Sequence, residues 1–266
     1  MVKLLLKDGR IDVNERDVNR RTPLYMACNS GVKDNVEMLV KDDRVEIQER
    51  FYGSCWLGNV ELVSKFLEDE RINLNKIDQN WSSPLHVACK KDRVETVKFL
   101  LRDDRIDVNL EDRSKKTPLF LACESGCSKT VKILLNDERI AVNQADESGV
   151  TPLFVVCQKR NAQVAQMLLD DERVDLNRLT SNQRSLWDFM FGSGRKRIME
   201  IIFASGRKIE ALPRKASALA RAKLIEEYIA NPRETSKKLR KELSEICFLS
   251  LFFKKFKIPS TLILLK

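Results

Sequence analysis

A seven-residue motif that recurs along the chain constrains the fold more than any other feature of the sequence. It reads SPLHVAC at residues 83–89, and related forms occur as TPLYMAC (22–28), TPLFLAC (117–123) and TPLFVVC (151–157). The prolines of the last three copies lie at positions 84, 118 and 152, so the period is 34 residues. A fixed period of this size indicates a solenoid of stacked units, in which each unit contacts only its neighbours.

Each unit predicts two helices joined by a turn. The Thr or Ser hydroxyl can cap the first helix, and a proline at the first helical position loses no hydrogen bond. Gly31, Gly58 and Gly126 mark the break that follows. Residues 94–101 place apolar side chains at i, i+3, i+6 and i+7, which is one face of a second helix. A polar segment then leads to the next motif.

These residues resemble the ankyrin repeat, a unit made of a β-turn finger and two antiparallel helices with a Thr-Pro-Leu-His-x-Ala pattern. The resemblance covers residues 2–205 and implies an all-α repeat solenoid of stacked helix–turn–helix units with short β-turn fingers. The chain departs from the family where the second helix ends. There DDRIDVN (103–109) and its copies have an acidic residue and Arg in place of Gly-Ala. This removes a glycine suited to a left-handed cap, so we expect the helix end to close differently.

One unit is shorter than the others. Pro23 and Pro84 are 61 residues apart, which leaves one full period and a unit of 27 residues between them. This shortened repeat (residues 49–75) contains RFYGSCWLG, whose Cys55 and Gly58 match Cys28 and Gly31. It lacks Thr-Pro and part of its finger. We therefore expect a break or kink in the groove at this point.

The repeats divide the chain into four regions. Residues 1–14 form a partial first repeat, and residues 15–205 form the array. Residues 206–246 are interpreted as a degenerate cap followed by basic helices, and residues 247–266 as an apolar tail cut by lysines. Because the chain begins at the end of a second helix, it is either a fragment of a longer array or has an incomplete first helix pair. For the tail, docking on the stack, disorder, membrane contact and partner binding stay open.

The cysteines predict an intracellular protein. Five of them occupy one equivalent position in successive repeats: Cys28, Cys55, Cys89, Cys123 and Cys157. Helices that stack roughly 8–10 Å apart keep such thiols beyond the about 7 Å that a disulfide allows between Cα atoms. We expect a column of buried, reduced thiols in the cytoplasm; the basic runs would also suit a nuclear address. The sequence contains no convincing signal peptide and no transmembrane helix.

The motifs of enzymes and of metal sites are missing from the sequence. The chain has one histidine, His86, which we expect to steady a turn rather than to catalyse. It has no Cys-x-x-Cys spacing, no Gly-x-Ser-x-Gly elbow and no phosphate-binding glycine loop. We therefore predict a non-enzymatic protein with no catalytic residue, no metal, no cofactor and no small-molecule substrate.

The basic character of the chain lies in its C-terminal region. Residues 179–266 carry 19 Lys and Arg against 8 Asp and Glu, a net charge of +11, whereas residues 1–178 carry a net charge of −2. Such a region could bind nucleic acid or an anionic membrane while the repeats act as a holder. This is the alternative to the main hypothesis, a scaffold that binds another protein. The sequence does not indicate an oligomeric state.

The resemblance implies that a partner lies along the concave face, on the finger tips and the exposed side of the first helices. The finger positions are Arg21, Gln79, Asn80, Trp81, Ser82, Arg113, Ser114, Lys116, Glu147 and Ser148. The helix positions are Asn29, Ser30, Lys90, Lys91, Glu124, Ser125, Gln158 and Lys159. An exposed Trp81 would anchor a partner, or it packs on the shortened repeat. A basic patch of Lys90, Lys91, Arg113, Lys115 and Lys116 favours an acidic peptide.

Overall fold

The computed structural model describes residues 2–78, 82–186, 197–198, 201–202 and 205, and eleven helices have their bounds within them. The chain divides into two compact units, residues 1–174 and 175–266, and every one of these helices lies in the first. Their bounds are α1 Val2–Lys7, α2 Pro23–Ser30, α3 Lys33–Lys41, α4 Ile47–Leu57, α5 Val60–Leu67, α6 Pro84–Lys90, α7 Val94–Leu101, α8 Pro118–Ser125, α9 Ser128–Leu135, α10 Pro152–Lys159 and α11 Ala162–Asp170.

The recurring motif forms the first helix of each regular repeat, as its residues predict. Thr22, Ser83, Thr117 and Thr151 have extended backbones, and each side-chain oxygen accepts a hydrogen bond from the backbone N–H three residues later. The proline that follows occupies the first helical turn. The capping oxygen satisfies one of the N–H groups that the start of a helix leaves without a partner.

The helices form two layers. The first-helix layer contains α2, α4, α6, α8 and α10, each in contact with the next. The second-helix layer contains α1, α3, α5, α7, α9 and α11, in which α1 contacts α3 and the helices from α5 to α11 each contact the next. The contact of α1 with α3 agrees with the interpretation of residues 2–6 as the end of a second helix. The result is the all-helical repeat stack that the sequence predicted.

The core lies between the layers and repeats with the sequence. Leu24, Leu85, Leu119 and Leu153 are each 1% exposed. The five cysteines of the predicted column are also buried, and they are free thiols. The column behaves as a row of small apolar side chains.

An arginine of the following repeat closes the ends of α1, α5, α7 and α9. The Nη2 atoms of Arg105 and Arg139 donate to the carbonyl oxygens of Leu67 and Leu101 at 2.6 Å. The equivalent pairs are Arg44 with Leu6 and Arg173 with Leu135, at 2.8 and 2.7 Å. An aspartate two residues earlier holds each guanidinium, as Asp137 holds Arg139 at 2.7 Å. This arginine clamp replaces the missing glycine cap by satisfying a terminal carbonyl.

A row of amide side chains ties successive fingers together. The side-chain amide of Asn109 donates to the carbonyl of Arg139 and accepts from the N–H of Ala141, both at 2.7 Å. Asn14 and Asn75 make the same pair of bonds. In the shortened repeat the equivalent residue is Gln48, which bonds both the N–H and the carbonyl of Asn73. The row therefore continues through the shortened repeat.

In the first-helix layer the expected break at the shortened repeat is not found, whereas in the second-helix layer the contact between α3 and α5 is weaker than that of any other neighbouring pair. The first helix of the shortened repeat, α4, begins at Ile47 and packs against both α2 and α6. Only residues 42–46 separate it from α3, and it is longer than its counterparts, with 11 residues against 7 or 8. Gly53 permits the close approach, since a Cβ there would lie 2.7 Å from Cγ2 of Val40. An extended helix thus takes the place of the finger.

In the second compact unit, Thr180, Ser185, Leu186, Ile198 and Ile202 are buried. The expectations for residues 206–246 and 247–266, the degenerate cap, the basic helices and the tail, lie outside the described residues. Among the residues that are described, no helix has the length and apolar character needed to span a membrane.

Candidate binding surface

The last residues of the first helices form a row of exposed side chains, which we call the helix-end row. It consists of Asn29, Ser30, Lys90, Lys91, Glu124, Ser125, Gln158 and Lys159. All are exposed except Glu124, which is half-buried. Because α6, α8 and α10 pack side by side, the last six of these residues occupy equivalent places in one layer. The structure thus gathers the helix positions that the resemblance implied.

The shortened repeat interrupts the helix-end row. The residues that match Asn29 and Ser30 there are Trp56 and Leu57, and both are buried. The Lys91 ammonium lies 5.2 Å from the centre of a Trp56 ring, and Nε of Arg93 donates to the Trp56 carbonyl at 2.8 Å. The row therefore changes from polar to aromatic at this repeat.

A pocket of about 100 Å³ lies next to this interruption. Its aromatic walls are Tyr25, Tyr52 and Trp56. Its other lining residues are Cys28, Asn29, Ser82, His86, Val87, Lys90, Lys91 and Leu121. The pocket thus takes residues from four successive repeats. We call it the shortened-repeat pocket.

The fingers are held by their own hydrogen bonds. Repeats are numbered from the one that contains α2, so that α8 belongs to repeat four. In its finger, Oδ1 of Asp112 accepts from the backbone N–H groups of Ser114 and Lys116 at 2.8 and 2.9 Å. The Ser114 carbonyl accepts from the N–H of Glu147 at 2.9 Å, which joins this finger to the next one. Such Asx turns fix the loop locally. The finger tips are therefore positioned by the backbone, with Arg113, Glu147 and Ser148 exposed.

Some of the charges predicted to face a partner are paired within the chain. Lys116 lies 3.0 Å from Glu124, and Arg21 lies 2.7 Å from Asp17. By contrast, four exposed cations form no ion pair with a described carboxylate: Lys90, Lys91, Arg113 and Lys115. The basic patch is therefore smaller than the sequence suggested, because Lys116 is neutralised by Glu124.

His86 has the structural role that the sequence predicted. Its Nδ1 accepts from the Ser83 N–H at 3.1 Å, and its Nε2 lies 3.0 Å from the Lys116 carbonyl, which requires a proton on Nε2. Burial lowers the pKa of His86, which favours the neutral ring. The side chain completes a capping box for α6 and joins it to the finger of repeat four.

The environments of Cys28 and Cys127 favour the protonated thiol over the reactive thiolate. Burial raises the pKa of Cys28 to about 12 and raises that of Cys127 as well. Low-pKa thiolates are the reactive form of cysteine, so these groups stay protonated at neutral pH. No group of three or more His, Cys, Asp or Glu in the described part of the chain could hold a metal ion. Cys247 lies outside the described residues.

Sequence reasoning left some of this surface out. Gln79, Asn80 and Trp81 lie outside the described residues, so their predicted role stays a prediction. Tyr25, Tyr52 and Trp56 were not predicted to face a binding site, although they line the pocket. No motif in the sequence marks these three residues.

Comparison with known proteins agrees with the repeat architecture. A family model described as ankyrin repeats matches in three copies, over residues 52–146 and 106–180. Ankyrin repeat protein FPV223 of fowlpox virus (strain NVSL) is 32% identical over 83 residues. That match covers 30% of this chain and 58% of the viral protein, so the chain spans little more than half of the relative's length.

Proposed function

Because the chain belongs to the ankyrin repeat family, we propose that it is an intracellular scaffold that binds another protein along the helix-end row and the adjoining fingers. Ankyrin repeats are generally protein–protein interaction modules. The partner lies on the side of the first helices, where the fingers project. No step of this function needs a reaction on the partner.

One observation within the chain supports this placement. The repeats of this chain can be aligned with one another. In that alignment the buried cysteine column keeps one residue type in five repeats. The helix-end row consists of the two residues that directly follow the cysteine in four of these repeats. These residues change from Asn-Ser to Lys-Lys, Glu-Ser and Gln-Lys. Packing fixes the buried column, whereas most side chains of the row are exposed. A constant core with a varied exposed row is typical of solenoid binding surfaces.

The charges of the row favour an acidic partner segment. Lys90 and Lys91 lie in the middle of the row, and Arg113 and Lys115 lie on the neighbouring finger. Complementary charge raises the association rate and suppresses wrong partners more than it raises affinity. We therefore expect binding to the partner to weaken as salt is added.

A charge-reversal experiment tests the placement. The full chain is used as bait in cell extract, with the double substitution Lys90→Glu and Lys91→Glu as the test variant. The matched control is Lys129→Glu with Lys132→Glu, which makes the same charge change at exposed positions of α9 in the second-helix layer. The proposal predicts that the first variant loses the main captured protein and that the control retains it.

The opposite pattern contradicts the placement. If both variants capture the same protein in the same amount as the wild type, the helix-end row is not the binding surface. If only the α9 variant loses it, the partner lies on the second-helix layer instead.

Binding of nucleic acid or an anionic membrane is the second candidate, because residues 179–266 carry a net charge of +11. Phosphate-driven binding falls steeply with salt. The full chain is titrated with RNA, DNA and acidic vesicles at low salt and again at higher salt. Tight binding at low salt that disappears with added salt supports this candidate, and no binding at low salt removes it.

A further inference from the structure

We infer that the helix-end row takes an extended acidic segment of the partner, with two acidic clusters about six residues apart. The inference rests on the proposed function and makes it more specific, because it states the spacing of acidic residues that the row selects. It follows from the charge that each repeat contributes to the row. That charge differs between repeats three, four and five.

Repeat three contributes two cations that form no ion pair with a described carboxylate. Lys90 and Lys91 are exposed, and the Lys91 ammonium lies 5.2 Å from the centre of a Trp56 ring. The next residue, Asp92, is also exposed, but its Oδ1 accepts a hydrogen bond at 2.7 Å from the hydroxyl of Thr130 in the second-helix layer. The two lysines therefore offer their charge to an acidic side chain from outside the chain.

Repeat four contributes no net charge to the row. Glu124 is half-buried, and its carboxylate lies 3.0 Å from the ammonium of Lys116 in the finger of the same repeat. The same ammonium lies 5.2 Å from the centre of the Phe120 ring, which also holds the lysine in place. The residue after Glu124 is Ser125, which is exposed and uncharged. The row is therefore neutral at repeat four.

Repeat five is basic again. The residue that matches Lys91 is Lys159, and Arg160 follows it. Both are exposed, and neither forms an ion pair with a described carboxylate. Arg160 has a φ of 61° and occupies the left-handed turn position that Gly126 occupies in repeat four. The row thus has cations at repeats three and five, with a neutral ion pair between them.

The distance between the two basic repeats sets the spacing of the acidic clusters. Helices packed side by side lie roughly 8–10 Å apart, so the two steps from α6 through α8 to α10 cover roughly 16–20 Å. An acidic segment is extended in solution because its charges repel one another, and an extended chain advances about 3.3 Å per residue. Two clusters about six residues apart therefore reach both basic repeats. A separation of about three residues places the second cluster at the neutral repeat.

Two peptides of identical composition test the inference on the full chain. Both are fluorescein-labelled, have the same length and contain two Glu-Glu pairs in a glycine–serine background. In one peptide the second pair begins three residues after the first, and in the other it begins six residues after the first. Binding is measured by fluorescence polarisation at low salt. We expect the six-residue peptide to bind about fivefold tighter, since each exposed ion pair adds only a modest amount of affinity.

A pair of matched variants tests whether repeat five supplies the second contact. Lys159→Gln with Arg160→Gly removes both cations of repeat five, and glycine suits the left-handed turn at position 160. The control, Lys129→Gln with Lys132→Gln, removes two exposed cations from α9 in the second-helix layer. We expect the first variant to bind both peptides equally, whereas the control keeps the preference of about fivefold.

A gain of binding tests the role of repeat four. Glu124→Gln leaves the ammonium of Lys116 without a carboxylate and makes repeat four cationic. We expect this variant to bind the three-residue peptide about threefold tighter than the wild type does. Glu61→Gln is the control, because it makes the same change in the ion pair with Lys65 on α5, and it should leave the affinity for this peptide unchanged.

The outcomes separate this inference from the proposed function. Equal affinity for the two peptides in the wild type, or no binding of either, overturns the inference. A preference that survives the loss of the repeat-five cations also overturns it, and so does binding that no substitution in the row weakens. The proposed surface is decided separately, because it is contradicted only if Lys90→Glu with Lys91→Glu retains the captured protein.

Discussion

Repeat four and the shortened repeat begin their first helices in two different ways, although both helices pack in the same layer. In repeat four a finger precedes α8, and Thr117 and Pro118 start the helix. In the shortened repeat α4 starts earlier, has no side-chain cap, and still contacts the first helices on both sides. The difference shows that the stack requires the helix pair and not the finger.

The arginine that bonds the end of the second helix also differs between regular repeats and the shortened repeat. Arg139 bonds the Leu101 carbonyl, but its equivalent in the shortened repeat, Arg71, is bonded only to Asp69. The corresponding carbonyl of Val40 is taken by Arg50 of α4, at 2.8 Å from Nε. An arginine from a different position therefore closes the end of α3. The carbonyl at the helix end still accepts a hydrogen bond from an arginine, although that arginine occupies a different position in the sequence.

The largest expected loss of stability comes from shortening one core side chain in each of the two repeats. Phe51 of the shortened repeat is fully buried and packs edge-on against Phe66 at a ring distance of 6.1 Å. We expect Phe51→Ala to cost about 3–5 kcal/mol of unfolding free energy, and Leu119→Ala, at the equivalent place in repeat four, about 2–5 kcal/mol. Urea unfolding measures both. A cost below about 1 kcal/mol for Phe51→Ala would mean that the shortened repeat is loosely packed.

The clamp substitutions are the next test. Arg50→Ala and Arg139→Ala each remove a charged donor from a helix-end carbonyl, and we expect each to cost about 1–2 kcal/mol, less than a fully buried charged bond. Arg71→Ala is the matched control, because Arg71 makes only an exposed ion pair, and it should cost about 0.5 kcal/mol or less. Equal losses for Arg71 and Arg139 would show that the carbonyl bond contributes nothing.

A glycine tests the close approach of α4. In Gly53→Ala the new methyl group would lie 2.7 Å from the buried Val40 side chain. Overpacking costs about 1–3 kcal/mol, but alanine favours the helix by about 1 kcal/mol, so a net loss of about 1 kcal/mol is expected. Gly9→Ala, where no atom lies within 4 Å, is the control. Thermal unfolding that shows a gain for Gly53→Ala would contradict the packing described for α4.

Two buried titratable groups, Glu49 and His86, should make the stability of the fold depend on pH in opposite directions. Burial raises the pKa of Glu49 above its usual 4.5, against the opposing bond from Thr22. The folded state then binds a proton more readily than the unfolded state, so this group destabilises the fold as pH rises from about 4.5 through the raised pKa. His86, whose pKa is lowered from 6.5, destabilises the fold as pH falls below 6.5.

The glutamate is tested by Glu49→Gln, which keeps an acceptor for Thr22. The variant should be slightly more stable than the wild type at pH 7, and this difference should vanish below pH 4.5, where Glu49 is protonated in both states. Chemical unfolding at a series of pH values measures the difference. A variant that is less stable at pH 7 would show that the ionised carboxylate is needed in the fold.

The sequence predicted those features that each repeat carries within its own residues. The caps at Thr22 and Thr117 and the buried column that includes Cys123 depend on local pattern and on register, and both are present. The arginine clamp could not be predicted, because the acceptor is a backbone carbonyl 38 residues earlier that no residue type marks. The pocket at Trp56 could not be predicted either, because no motif in the sequence marks the aromatic residues that line it.

Hydrogen–deuterium exchange of the full chain with and without its captured partner tests the central claim most directly. The account predicts that the partner slows exchange at the ends of α2, α6, α8 and α10 and in the finger that contains Arg113. The peptides of α7, α9 and α11 should be unchanged. Protection confined to the second-helix layer or to residues 206–266 would contradict the claim that the partner lies along the helix-end row.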